Sequence, residues 1–255
     1  MPVAAAAEDD LFYDRSDAEA GPALILVHGS GGDHTHWPEG LRRHGKMRVF
    51  TPDLPGHGRS TGAGRTRVEE YAIVIDRFAR TLGVGTAVVA GHSLGGAVAL
   101  TLALMQPEWL SGVLLVGTGA RLRVHPQILE GLSTAFAETI GRICDLSFGP
   151  EAPKDLIVQV RRQLMGNDPR VIQGDYQACD QFNVMGRVGD ITYPALVISA
   201  TDDRMTPVKY GEYLCRQIPG AAFARIEGAG HMMALEKPDA VIDAVARFMG
   251  ISPGR

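Results

Sequence analysis

Cysteine is scarce in this chain, with Cys144, Cys179 and Cys215 the only three among 255 residues. Their number and spacing exclude a disulfide framework or a zinc knuckle and suit buried or half-buried thiols in a reducing compartment. Charge of one sign is lacking too: 25 lysines and arginines face 29 acids, for a net charge of −4. That leaves no basic excess to track a phosphate backbone, so no nucleic-acid partner is expected. No uncharged apolar run approaches the roughly 18 residues that span a bilayer, so no membrane association is expected either. The first ten residues combine an alanine run with Glu8, Asp9 and Asp10 and lack the basic start and long apolar stretch of a signal peptide. The expected location is therefore cytoplasmic. Nucleotide motifs are missing as well. The one near miss to a P-loop, Gly40–Met47, has methionine where Ser or Thr must hold magnesium. Neither a metal nor a cofactor is expected.

What is present is ordinary globular material, 45% hydrophobic and 21% charged, with 31 glycines. Short apolar runs at Ala23–Val27, Arg48–Thr51, Ala87–Ala90, Val113–Val116 and Ala195–Ser199 predict buried strands, with Ala222–Ile226 as a weaker edge strand. Between them, helical periodicity marks Val68–Leu82, Gly95–Met105, Val208–Ile218 and Ala240–Met249. The alternation predicts an α/β fold, a mostly parallel sheet with helices on both faces. From 118 to 190 the rhythm breaks, with no convincing strand and three helical patterns, Pro126–Leu146, Pro153–Met165 and Pro169–Phe182. This stretch reads as a helical cap inserted in a core made of 1–117 and 191–255.

The chemistry is written where strand Ala87–Ala90 meets the apolar helix. There Gly91-His92-Ser93-Leu94-Gly95 fits G-x-S-x-G, which alone is weak but gains force from its strand-to-helix setting. A serine squeezed into that turn exposes its hydroxyl, and the glycines remove side chains that would collide. A nucleophilic serine needs a base, and the base needs a carboxylate. His231 follows the last strand in a glycine-rich loop able to bend toward Ser93. His92 points away from so tight a turn, while His34, His36 and His44 read as solvated loop residues. Asp202 and Asp203 both directly follow Ala195–Ser199, and no acid lies between Gly117 and Pro126. Backbone N–H groups for a developing oxyanion are expected from Leu94 and from the loop His28-Gly29-Ser30-Gly31-Gly32.

Taken together, His28–Gly32, Asp53-Leu54-Pro55-Gly56-His57-Gly58-Arg59-Ser60, Gly91–Gly96, Ala200–Pro207 and Gly228–His231 resemble the α/β-hydrolase family over nearly the whole chain. The resemblance implies a cofactor-free serine hydrolase of the carboxylesterase kind. It favours Asp203 over Asp202 by register with Pro207, although Ala200 stands where the family usually has glycine. It also implies Ser30 and Leu94 as the oxyanion donors. The Asp53–Ser60 segment takes a structural role on this reading. C–C bond hydrolase, enol-lactonase and perhydrolase activities share the same residues. A non-catalytic receptor on the same fold needs only the pocket, so an intact Ser, His and Asp set counts against it.

The pocket is expected between elbow and cap, lined by Trp37, Phe136, Ile140, Met165, Phe182, Met185 and Met232. Flexible methionines suit an adaptable apolar cavity, which predicts a small-molecule ester substrate, largely uncharged and of short to medium chain. Arg121 and Arg123 would instead favour an anionic substrate if they faced that pocket.

Overall fold

The computed structural model describes residues 3–6 and 9–251. Met1, Pro2, Ala7 and Glu8, part of the N-terminal stretch read above, lie outside the described residues. In chain order the elements are β1 (Val3–Ala6), β2 (Asp9–Arg15), β3 (Ala23–Val27), α1 (Glu39–Arg42), β4 (Arg48–Pro52), α2 (Val68–Leu82), β5 (Ala87–His92) and α3 (Leu94–Met105). Then follow β6 (Leu110–Val116), α4 (Pro126–Thr134), α5 (Phe136–Ser147), α6 (Lys154–Met165), α7 (Pro169–Gln181), β7 (Ala195–Ala200), α8 (Val208–Gln217), β8 (Ala222–Ile226), α9 (Met233–Glu236) and α10 (Pro238–Phe248). Among the described residues, no helix is long and apolar enough to cross a membrane.

The eight strands form one sheet in the order β1-β2-β4-β3-β5-β6-β7-β8. The β1–β2 and β2–β4 pairs are antiparallel, and every pair from β4–β3 onward is parallel. Central strands β3, β5 and β7 are buried along their whole length, as parallel strands covered on both faces must be. Alternate residues feed two cores. Ile25, Val27, Val89, Val113, Leu115 and Val197 pack with α2, α3 and α8. Leu24, Leu26, Ala90, Leu114, Val116 and Ile198 pack with Trp37, Leu41 and α10.

The chain leaves β3 for β4 on one side and later returns for β5 on the other, so β3 and β5 are neighbours whose connections diverge. Ligands of open α/β sheets enter at the carboxyl ends of strands at such a switch point. The two loops that begin there are His28–Gly32 and the turn at Ser93.

Three expectations need correction. The antiparallel strands β1 and β2 were not anticipated. β5 and β6 are longer than the apolar runs suggested. The pattern Pro126–Leu146 is two helices, so four helices and not three lie between β6 and β7. The break falls at Ala135 (φ −145°, ψ 56°). Just before it, the Ser133 and Thr134 hydroxyls both donate to the Glu130 carbonyl, competing with the backbone for that acceptor. These helices share an apolar cluster of Ile128, Leu132, Ile140, Ile143, Val160, Leu164 and Ile172.

Candidate active site

Ser93 sits at φ 54°, ψ −114°, one of two non-glycine residues with positive φ among those described. Such a backbone costs on the order of 1–3 kcal/mol and persists only where the surroundings enforce it. Here Ser93 N–H donates to the Val116 carbonyl at 3.0 Å, and Ser93 C=O accepts from the Thr118 hydroxyl at 2.9 Å. A Cβ at Gly91 would collide with the Gly95 carbonyl, and one at Gly95 would strike the Val27 carbonyl. The glycines therefore permit the turn and let α3 pass directly over β3. The first N–H groups of a helix have no acceptor within it, and that of Leu94 opens α3 beside the serine.

Across the turn, Asp203 Oδ2 accepts from His231 Nδ1 at 2.9 Å. Three further donors converge on this carboxylate: the Met205 and Thr206 N–H groups on Oδ1, each at 2.8 Å, and the Thr206 hydroxyl on Oδ2 at 2.7 Å. Burial opposes the charge on Asp203, but His231 and these bonds outweigh it and hold the carboxyl well below its ordinary range. Asp202 is half-buried and meets the site only through its backbone, whose N–H donates to Ala229 C=O at 2.9 Å. With Nδ1 engaged by Asp203, His231 has Nε2 left for a reacting proton. Ser93 and His231 line one narrow cleft of about 30 Å³ without a direct hydrogen bond in this conformation. Such contacts are commonly loose before a ligand closes them.

His92 donates from Nε2 to the His231 carbonyl at 2.9 Å. Burial, with His231 adding to it, pushes its pKa down to about 3, so it is a neutral strut fixing the base loop. Beneath the first loop, His28 donates from Nδ1 to Gly29 C=O and accepts on Nε2 from Leu54 N–H. One donor and one acceptor require the neutral tautomer, in keeping with a pKa that burial lowers well below the usual value.

A second buried cluster escaped sequence reasoning. Asp175, on α7, accepts from Gly31 N–H at 2.8 Å, His57 Nε2 at 2.8 Å and Tyr71 O–H at 2.6 Å. His57 Nδ1 donates to Pro55 C=O at 3.0 Å. Both ring nitrogens thus face acceptors. Burial works against a charge on His57, but Asp175 and these bonds together raise its pKa. The helical insertion is pinned by this pair to the loop carrying Ser30. Gly31 N–H is held by Asp175 and Gly32 N–H by Gly29 C=O, and Ser30 lines the cleft with Ser93. Asp175→Ala would leave the buried His57 ring, Gly31 N–H and Tyr71 O–H without their shared acceptor, and is expected to lower unfolding free energy by about 3–5 kcal/mol in urea titrations.

Of the expected pocket residues, Met232 lines the cleft. The others do not. Trp37 is 1% exposed and packed under the sheet with Leu41 and Met47. Ile140 and Phe136 are absorbed by packing among the inserted helices. Phe182 is buried in the sheet core. Met165 ends α6 at 40% exposure, away from the cleft. Met185, 41% exposed, lines a separate outer cavity. The residues that do form the cleft wall include Tyr176, Cys179, Leu164 and Met205. His36 is not solvated as expected: it is buried against the cleft, its Nε2 beside Gln163 Oε1 at 3.1 Å. His34 is bonded to Asp53 at 2.8 Å. Asp33, His34 and Asp53 place donor atoms within 4.8 Å of one another, but those atoms are bonded to each other and to Thr35. A separate cavity of about 660 Å³ is lined in part by Asp203 and includes neither Ser93 nor His231.

Comparison with known proteins gives the family. Residues 24–244 match the model of the Alpha/beta hydrolase family, and the chain belongs to that family. A solved structure described as a thermophilic esterase superposes with a TM-score of 0.83 at 33% identity, covering 95% of this chain and 94% of that one. The 2-hydroxy-6-oxo-6-phenylhexa-2,4-dienoate hydrolase of Burkholderia cepacia is 28% identical over 249 residues, 88% of this chain and 86% of that protein. The dihydrolipoyllysine-residue acetyltransferase component of the acetoin cleaving system of Pseudomonas putida is 29% identical over 250 residues. There the match takes in 91% of this chain but only 64% of the longer relative. The chain is thus an enzyme of the α/β-hydrolase family, a hydrolase.

Proposed function

We propose that this hydrolase cleaves carboxylic esters through an acyl-enzyme on Ser93. The observation that carries the reading is the 2.9 Å contact of His231 Nδ1 with Asp203 at the cleft where Ser93 is held in its strained turn. Ser93 Oγ attacks the ester carbonyl while His231 Nε2 takes its proton. The Ser30 and Leu94 N–H groups receive the charge that forms on the carbonyl oxygen. Collapse of the tetrahedral intermediate expels the alcohol, which takes the proton back from His231. Water, deprotonated by His231, then attacks the acyl carbon and returns free Ser93 and a carboxylic acid. Nucleophile, base and oxyanion donors are all side chains or backbone of this chain, and water is the second reactant.

The narrow cleft, about 30 Å³ beside Ser93 and His231 and about 50 Å³ on its outer side, supports short acyl groups. A panel of aryl esters of increasing acyl length, an enol-lactone and a vinylogous 1,5-diketone tests the reading. Hydrolysis of the shortest esters at the highest kcat/KM is expected, falling steeply as the acyl chain lengthens. Turnover of the diketone alone would replace ester hydrolysis by C–C bond cleavage on the same residues.

A further inference from the structure

The loop after β6 and one face of α8 meet over an outer cavity of about 460 Å³. It shares Arg123 and Tyr210 with the cleft that contains Ser93, so the two are adjoining compartments. We propose that this outer compartment binds an anionic substituent of the substrate, a carboxylate or phosphate, between Arg121, Arg123, Lys209 and Arg216. The inference deepens the ester-hydrolase reading and rests on it for the reacting bond.

Four cations line this cavity and no acidic side chain does. Arg121 and Arg123 flank the buried Leu122 and so project to the same side, while Lys209 and Arg216 are two helical turns apart on α8. Among the described residues none of the four forms an ion pair. Like charges gathered without a counter-charge repel one another, and an anion between them relieves that repulsion. Guanidinium groups suit carboxylate and phosphate because their planar forks donate two parallel hydrogen bonds.

The backbone under these cations is fixed. Arg121 pairs with Asn183 as an antiparallel bridge, and Val184 N–H donates to Ala120 C=O at 2.8 Å. The main chain that carries Arg121 is thus fixed before a ligand arrives, which lowers the ordering cost of binding. Division of space points the same way. The inner cleft is much the smaller of the two, so a substrate whose ester group lies at Ser93 has the outer compartment, among the cations, to extend into. The expectation of uncharged substrates, drawn from methionines and apolar helices, does not fit that lining.

Two measurements test the proposal. The first compares half-esters of dicarboxylic acids, and esters of phosphorylated alcohols, with neutral esters of matched length. Anionic substrates are expected to lead by about ten-fold in kcat/KM at low ionic strength. The lead should appear in KM and vanish near 1 M salt, where the screening length falls to about 3 Å. It should also be lost in Arg121→Gln/Arg216→Gln and largely return in Arg121→Lys/Arg216→Lys. Which arm leads, carboxylate or phosphate, identifies the anion. The second measures succinate and inorganic phosphate binding to Ser93→Ala by calorimetry, with and without Arg121→Gln/Arg216→Gln. Binding lost with the arginines supports the subsite even if no ester is hydrolysed, in which case the ester reading alone fails. Equal rates for charged and neutral esters, or anion binding indifferent to salt and to both arginines, overturns the subsite and leaves the ester reading standing.

Discussion

Replacing Ser93 with alanine is expected to lower kcat by about 10³-fold or more while leaving the protein folded. The loss is large because the hydroxyl is the group that becomes covalently bonded to the acyl carbon; His231 and the backbone donors have no attacking oxygen to assist without it. The fold survives because the turn is held by backbone bonds to Val116 and Thr118 and by the close passage of Gly91 and Gly95. None of these involves the Ser93 side chain. The Ser93 side chain is half-buried, and alanine keeps its Cβ, so little packing is lost. Circular dichroism and urea midpoints matching the parent, beside a collapsed kcat, are the expected result. Retained turnover would remove Ser93 from the reaction.

Asp203→Asn is expected to be nearly as damaging, by about 10³- to 10⁴-fold in kcat. The asparagine oxygen can still accept from Met205 and Thr206, so the loop keeps its shape. Its amide, placed where Oδ2 now faces His231, donates where the carboxylate accepted. His231 must then turn a lone pair on Nδ1 toward it and carry its proton on Nε2, the tautomer unable to take the proton of Ser93. Asp202→Asn leaves that bond untouched and is expected to remain close to parental activity. Steady-state kinetics of the two variants on one short ester decide between the neighbours. If Asp202→Asn is the inactive one, the acid has been assigned one residue too late.

Much of the fold can be read in the sequence because its central strands are local, apolar and bounded by glycine or proline. The serine turn is legible for the same reason: five adjacent residues carry both the strain and its relief. β2 escaped because Asp9, Asp10, Asp14 and Arg15 make Asp9–Arg15 look like a solvated loop. Its charges are tolerated through pairing with distant arginines, Asp9 with Arg65 and Asp14 with Arg42 and Arg43. The Asp175 cluster was invisible for a related reason, since its partners Gly31 and His57 lie 144 and 118 positions away. No spacing rule links them.

The pocket residues failed differently. Hydrophobicity in the inserted helices says that a side chain is buried but not against what. Ile140 and Phe136 pack on neighbouring helices, and Phe182 on the sheet core. Trp37 follows the first glycine loop closely in sequence, yet its ring turns under the sheet. Arg121 and Arg123 gain meaning only once Lys209 and Arg216, more than eighty positions later in the chain, are seen to face them.

The central claim is that Ser93 is a nucleophile activated by His231. Its most direct test is incubation with a fluorophosphonate, followed by intact-mass and peptide mass spectrometry. One covalent adduct per chain is expected, located on Ser93, absent from Ser93→Ala and formed far more slowly in Asp203→Asn. An unmodified protein with full esterase activity, or an adduct on any other residue, would contradict it.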